Sequence, residues 1–544
     1  MLYDDHHIIR LESIAMAEAA RMAIPGAGPL QALSHRRKLL IFGIMAFGQF
    51  MALLDVQIVA ASLNSIQAGL SAGPDEIAWV QTAYLMAEIV MIPLAAYLSQ
   101  ALSTRWLFVG SAVLFTLSSL MCGMAWSIQS MTVFRAIQGF VGGAMVPTVF
   151  ATGFAMFSGK SRAMIPAILG MVSTLAPTLG PTVGGWITDV SSWHWLFFIN
   201  VIPGAAIAVS LSMLGKVDEP NLKMLKRIDW LHVASLALFL GALQYVLEEG
   251  PRNQWFEDPT IQFAAWMSFV GALVFFERSF FSLMPVLKLS PFRHRTFTLA
   301  CILNLVIGFG LYAATYLTPI FLGRVRGYSS FDIGTTVFVA GVFMVFGAPL
   351  AARLTTLVDQ RIVITVGFVL FAFSCWLFSG VTSNWGFWEL FPAQAIRGFA
   401  ILLCIVPSVG MALNGRTPDE LRYASGLFNL MRNLGGAIGI ATVTTWLQDY
   451  GRIHGELLGE AIPHTGTAAL AQAAARIAAF TSDAAHAQQV IAGELTQLVT
   501  QQALTLAFSD VFALMAGMFV IALAIVPFCK VPPLSDAVPI VEAH

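Results

Sequence analysis

The chain has 544 residues, 57% of them hydrophobic and only 11% charged, with a formal net charge of −1. Soluble domains carry about a quarter charged residues, so this much apolar surface needs lipid around it rather than water. The balanced charge offers nothing to nucleic acid, and the five cysteines (Cys122, Cys301, Cys375, Cys404 and Cys529) fall in apolar segments without metal-ligand spacing.

The first 38 residues hold no apolar core of the kind a secretory signal carries. The basic run His35-Arg36-Arg37-Lys38 instead abuts the first apolar segment, which suits a cytoplasmic N-terminal segment over 1–38. A helix crosses the hydrocarbon in about 20 mostly apolar residues. In chain order the candidate spans are 39–60, 78–98, 106–126, 131–156, 163–189, 194–214, 230–248 and 260–280. They continue with 297–320, 332–352, 361–381, 388–412, 423–447 and 507–528, which makes fourteen. The connection at 448–506 is the one long loop; it is rich in Ala and Gln, with a surface helix predicted over 482–504. With the N-terminus inside, 21 of the 29 basic residues fall in cytoplasmic segments, 5 in outer loops and 3 within helices. That bias favours cytoplasmic termini and an even number of spans.

Charges inside a membrane are expensive and face a cavity or a partner. Span 1 offers Asp55, and span 2 offers Glu88 near its middle. Span 4 contains RAIQGFVGGAMVP at 135–147, where Arg135 and Gln138 share a helix face. An acid that takes up a proton on one side and releases it on the other is what proton coupling requires. A fixed pairing of Glu88 with Arg135, and a purely orienting role for Asp55, are the alternatives. Span 5 contains GMVSTLAPTLGPTVGG at 170–185. Gly170, Gly180, Gly184 and Gly185 remove bulk so that another helix comes close. Pro177 and Pro181 delete backbone donors and bend a helix. This stretch is expected to be a bent pivot or seal between two moving halves. Arg432 and Asn433 in span 13 are candidates for cavity lining or for helix-packing contacts beside Gly435, Gly436 and Gly439.

These runs carry a family resemblance. R-x-x-Q-G at 135–139 resembles the fourth-helix signature of the major facilitator superfamily. G-x9-G-P-x-x-G-G at 170–185 resembles the antiporter signature of its drug:proton exporters. WHWLFFINVIPG at 193–204 and SGLFNLMRNLGGAIGIA at 425–441 are similar to the fourteen-span branch, nearest to EmrB-like proteins. The resemblance covers about 40–530. It implies an all-α membrane protein with the major facilitator fold and 14 transmembrane helices. A six-helix bundle over 39–214 and a linker with two extra helices over 215–296 would precede a second six-helix bundle over 297–528. A cytoplasmic tail over 529–544 would follow. QAIRG at 394–398 echoes the span 4 motif and suits such a duplication. The implied function is proton-driven export of small amphipathic compounds across the inner membrane. The proton gradient would be the energy source, with no cofactor. Implied partners are the lipid bilayer, a periplasmic adaptor and an outer-membrane channel.

Departures from the family pattern bear on the gate. The loop after span 2 reads AYLSQALSTRW, with Gln100 where the family carries Asp, so only Arg105 remains there as a candidate cytoplasmic gate charge. The loop after span 10, ARLTTLVDQR, keeps Arg353, Asp359 and Arg361 for that role. No phosphate-cradling GxxxxGK[ST] run, metal-binding spacing or nucleophile triad stands out, which argues against an enzyme. Transport direction stays open: a proton-coupled importer or an exporter of one metabolite or metal chelate would need the same fold. A passive channel is a further alternative.

Overall fold

The computed structural model describes residues 34–529 apart from 74–75, 158, 215–217, 283–284 and 466–483. Most of the predicted 1–38 segment, nearly all of the tail and the middle of the long connection lie outside the described residues. The first half comprises α1 (His35–Ala61), the short α2 (Leu63–Leu70), α3 (Trp79–Leu102), α4 (Thr104–Gly123), α5 (Ile128–Gly142), α6 (Met145–Met156) and α7 (Gly159–Val190). It closes with the single turn α8 (Trp195–Phe198) and α9 (Val201–Met213). Then come α10 (Trp230–Glu249), α11 (Pro259–Phe281), α12 (Arg295–Arg324), α13 (Ser330–Leu357) and α14 (Gln360–Ser379). The last three are α15 (Phe387–Leu413), α16 (Pro418–Thr465) and α17 (Ala484–Ala522). By length and composition, 13 helical segments among the described residues suit a membrane crossing, with α5–α6 and α8–α9 each counting once. The fourteenth is α16, whose polar Asn429, Arg432 and Asn433 lower its apolarity but which lies packed against α12 and α17.

Two elements differ from expectation. The fourth span is broken at Gly143–Ala144. Pro147 has no amide hydrogen for the Gly143 carbonyl four residues earlier, and two adjacent glycines weaken the helix there. By contrast, α7 stays helical through Pro166, Pro177 and Pro181. The second difference is the long connection, whose described flanks are helix and not loop. α16 has 48 residues and α17 has 39. At about 1.5 Å per residue they reach about 70 and 60 Å, about twice a hydrocarbon core of about 30 Å. Ala, Leu and Gln are strong helix formers, and the two helices support each other side by side, with His454 Nε2 2.7 Å from Asp510 Oδ2. The predicted surface helix is thus the first part of α17, continuous with the span.

The two halves repeat one another pair by pair. In the first, α1 packs on α7, α3 on α5, and α4 on α5 and α9. In the second, α12 packs on α16, α13 on α15, and α14 on α15 and α17. The halves meet along α3 and α6 against α16 on one side, and along α7 against α13 and α15 on the other. α10 and α11 pair outside the halves; α10 touches α3 and α16, while α11 exposes Phe263, Trp266, Phe269 and Phe280.

In lipid, tails are as apolar as Leu, so close backbone approach drives helix association. A Cβ at Gly139 would strike the Tyr84 carbonyl on α3, and one at Gly398 the Ala340 carbonyl on α13. The same holds between α12 and α16, where Gly435 abuts the Leu305 carbonyl. The glycine run of α7 divides its work. Gly180 and Gly184 lie against Gln57 and Ile58 of α1, in their own half. Gly170 faces Ile405 of α15, and Gly334 and Gly341 of α13 receive α7 from the other half. The run therefore seats α7 on α1 as well as facing the second half, which corrects its reading as an interface seal alone.

A methyl at Gly184 would lie 2.7 Å from the Ile58 carbonyl oxygen, whereas one at Gly43 meets nothing within 4 Å. Overpacking costs about 1–3 kcal/mol. Thermal unfolding of the purified protein should therefore place Gly184→Ala below wild type and Gly43→Ala at or above it. Equal midpoints for the two variants would refute the α1–α7 seam.

Candidate functional site

The first half is organised around one buried ion pair. Arg135 Nη1 lies 2.6 Å from Asp55 Oδ2, with both side chains fully buried. Asp55 Oδ1 also accepts from Gln138 Nε2 at 3.1 Å and from Asn200 Nδ2 at 2.6 Å. Arg135 donates through Nη1 to Gln138 Oε1 at 2.8 Å and through Nε to the Val80 carbonyl at 3.2 Å. Its guanidinium stacks 4.2 Å over the Tyr84 ring. Asn200 continues to Ser119 Oγ at 3.1 Å, which donates to the Phe197 carbonyl at 2.9 Å. The network thus joins α1, α3, α4, α5 and the α8–α9 corner. A buried pair is costly unless its remaining donors and acceptors are met; Asp55 meets three donors, while Arg135 keeps one nitrogen, Nη2, without a hydrogen-bond partner among the described residues.

Glu88 is placed differently. It sits mid-way along α3 with 7% of its surface exposed, and its backbone carbonyl lies against Gly143. Among the described residues its carboxyl makes no hydrogen bond and no ion pair within 4 Å. Its charge is felt by Arg135 of its own half and by Arg432 of the other. Arg432 is 1% exposed; it donates to Asn429 Oδ1 at 2.8 Å and lies over Phe150 of α6 at 5.9 Å. Its Nε and Nη1 have no partner. An unpartnered carboxyl on α3 and a half-satisfied guanidinium on α16 are thus carried by two helices that pack on one another from opposite halves.

A cavity of about 980 Å³ opens where the two halves diverge. It is bounded by Gln57 and Asn64 from α1–α2, Gln81 and Leu85 from α3, Pro181 from α7 and Glu248 from α10. Tyr312, Tyr316 and Ile320 of α12 form the opposite wall. Rim residues Arg252, Arg324 and Gln448 are exposed, so the cavity opens at this end. Arg432 and Asn433, expected as lining, are not among its walls; Asn433 Oδ1 instead lies 3.5 Å from the Tyr312 hydroxyl, behind the ring that does line it.

At the opposite end the halves touch. Asp218, after α9, accepts from the Thr104 amide at 2.9 Å and the Thr104 hydroxyl at 2.7 Å, at the start of α4. The same carboxylate pairs with Arg422 of α16 at 3.1 Å. Ser425 of α16 donates to the Pro147 carbonyl at 3.1 Å. The expected gate charges lie elsewhere. Arg105 donates to the Ser212 carbonyl and stacks on Trp106. Asp359 caps α14 through the Arg361 amide at 2.8 Å, and Arg353 is exposed. The ion pair that crosses between halves at this end is Asp218–Arg422.

Residues 45–440 match the Major Facilitator Superfamily. The chain belongs to that superfamily. It is 39% identical to the colistin resistance protein EmrB of Acinetobacter baumannii, over 88% of this chain and 93% of that one. It is 29% identical to the multidrug export protein EmrB of Escherichia coli, over 90% and 94%. It is 27% identical to the fatty acid resistance protein FarB of Neisseria gonorrhoeae, over 89% and 94%. Among solved structures, the human organic anion transporter MFSD10 superposes with a TM-score of 0.56 at 14% identity, covering 91% of this chain and all of that one. The likeness there is of fold.

As a superfamily member, the chain is a transporter and not an enzyme. Sequence reading found Asp55, Glu88, Arg135 and Gln138, and three of the four converge; Glu88 stands apart. It missed Asn200, Asp218 and Arg422. Asn200 lies inside WHWLFFINVIPG, so the motif was visible but the role of its amide was not. Asp218 and Arg422 are 204 positions apart and carry no local signal.

Removing one member of a buried pair costs about 3–5 kcal/mol, because the other charge stays buried. Asp55→Asn and Arg135→Gln should each lower the unfolding midpoint of the purified protein, and the double variant should fall short of their sum. Strict additivity would show that the two do not act as a pair.

Proposed function

We propose that the protein is a proton-driven antiporter that exports small amphipathic organic compounds by alternating access. Its similarity to a colistin resistance protein and to a multidrug export protein supports export of foreign compounds. The observation that carries the coupling is Glu88. Asp55 is held by three donors, so protonating it breaks a network that positions five elements. Glu88 has no such bonds, so a proton enters or leaves it without dismantling the fold. Its neutralisation changes the field at Arg432 on the other half, which ties the proton to the relative position of the halves. The driving force is adequate: about 2.3 kcal/mol per charge per 100 mV supports about a fiftyfold gradient at about 1.4 kcal/mol per decade.

The positive-inside bias makes the Asp218–Arg422 end cytoplasmic and the cavity outward-facing. Alternation then requires that ion pair to open while the rim closes. The membrane is the inner membrane, and an adaptor and an outer-membrane channel complete the route, as in tripartite systems.

In proteoliposomes with an imposed pH gradient, Glu88→Gln should abolish gradient-driven transport of a fluorescent amphipath. Substrate binding should remain, because Glu88 is not in the cavity wall. Full gradient-driven transport by Glu88→Gln would sink the coupling assignment. For the cytoplasmic ion pair, Asp218→Arg and Arg422→Asp should each slow transport severalfold, and the swapped double variant should recover part of it. A swap no better than either single change would exclude a charge latch.

A further inference from the structure

α10 belongs to neither six-helix half, yet its last turn forms part of the cavity wall through Leu247, Glu248 and Glu249. The two acids are not alike. Glu249 is engaged: it accepts from Thr82 Oγ1 at 3.0 Å and lies 3.7 Å from Arg252. Glu248 has Gln244 one turn earlier as its polar neighbour, and no cation lies within 4 Å of it among the described residues. Across from α10, Gln81 also lines the cavity, and its buried Oε1 has no donor. The wall therefore offers acceptors that lack donors. Around them lie the apolar Leu85, Leu247 and Ile320 and the ring of Tyr316. The cationic rim residues Arg252, which pairs with Glu249, and Arg324 are exposed, where solvent and salt screen them.

A carboxylate without a counter-ion at the edge of an aromatic and aliphatic cavity fits a ligand that brings its own positive charge and N–H donors. Aromatic faces add to that preference. We propose that Glu248 sets the specificity of this cavity for amphipathic organic cations, seating a protonated amine against Glu248 and Gln81 and the apolar body on the α3 and α12 walls. The inserted pair α10–α11 thereby acquires a role: it carries the charge that selects the substrate. The inference rests on the cavity being the transport path.

The test uses the full-length protein in lipid nanodiscs and two fluorescent probes, rhodamine 6G as the cation and anilinonaphthalene sulfonate as an anion of similar size. Fluorescence polarisation should show saturable rhodamine 6G binding to wild type. Glu248→Gln should weaken it about tenfold or more, the scale of one lost charge-assisted contact, with anion binding unchanged or tighter. Glu248→Asp, which keeps the charge, should restore most of the cation affinity and shows that the Gln variant is not simply misfolded. Equal cation affinity in wild type and Glu248→Gln overturns this inference and leaves the cavity intact as the path. Saturable binding of neither probe to wild type overturns both.

Discussion

The first half depends on one constraint: a guanidinium has been placed where there is no water. Arg135 is fully buried, and three neighbouring elements turn polar or aromatic groups toward it or toward its partner Asp55. α3 gives the Val80 carbonyl and the Tyr84 ring, α5 gives Gln138, and the α8–α9 corner gives Asn200. Desolvating two charges costs several kcal/mol per ion unless the geometry satisfies them. That cost makes the arrangement specific, because a rotated or shifted helix leaves a charge bare. The second half shows the contrast. Arg397 occupies the matching helix but donates to the Ala314 carbonyl at 3.0 Å and to Thr318 Oγ1 at 3.1 Å. A hydroxyl stands where the first half has a carboxylate, so the two bundles share a fold while only one is knotted by an ion pair.

Around that centre, glycines set how closely the helices pack. The same pairings recur in both halves, first span on fifth and second on fourth, each with a glycine against a facing carbonyl. Such seams are rigid, since a methyl on either side strikes backbone. Between the halves, Asp218 pairs with Arg422 and Ser425 bonds the Pro147 carbonyl at one end, while α7 packs on α13 at Gly334 and Gly341 and on α15 from Gly170, glycines that meet side chains rather than carbonyls. A few polar bonds at one end and a cavity at the other suit halves that move as bodies. Glu88 lies on α3, one of the helices where the halves meet, and its carboxyl is tied to neither Arg135, which pairs with Asp55, nor Arg432, which donates to Asn429.

Much of this was legible in the chain. Fourteen apolar stretches, the Arg135–Gln138 face and the glycine run of α7 follow from spacing and composition, and the motif runs carry the family resemblance. In lipid a helix must satisfy its own backbone, so span count and helix class are properties of local sequence. Even the fourth-span break is written in Gly142, Gly143 and Pro147, although length and apolarity alone predict one continuous span over 131–156. The described flanks of the long connection are helical where a loop is expected at its start, because α16 and α17 pack on one another; the helix expected over 482–504 is the first part of α17.

What the sequence could not decide was which charges meet. Asp55 and Glu88 are both coupling candidates on paper, each an acid in an apolar helix, with Glu88 the nearer to mid-membrane. Only the packed bundle shows that Asp55 lies against Arg135 while Glu88 faces the other half. Likewise Gln100, in place of an acid, hides the fact that Asp218, more than a hundred positions later, reaches the start of α4 and clasps Arg422. The sequence by itself determined the solvent, the number of spans and the family, because those depend on local hydrophobicity and motif. The tertiary structure alone decided partnership, because a buried charge is satisfied by whatever the fold brings within 3 Å, from any distance along the chain.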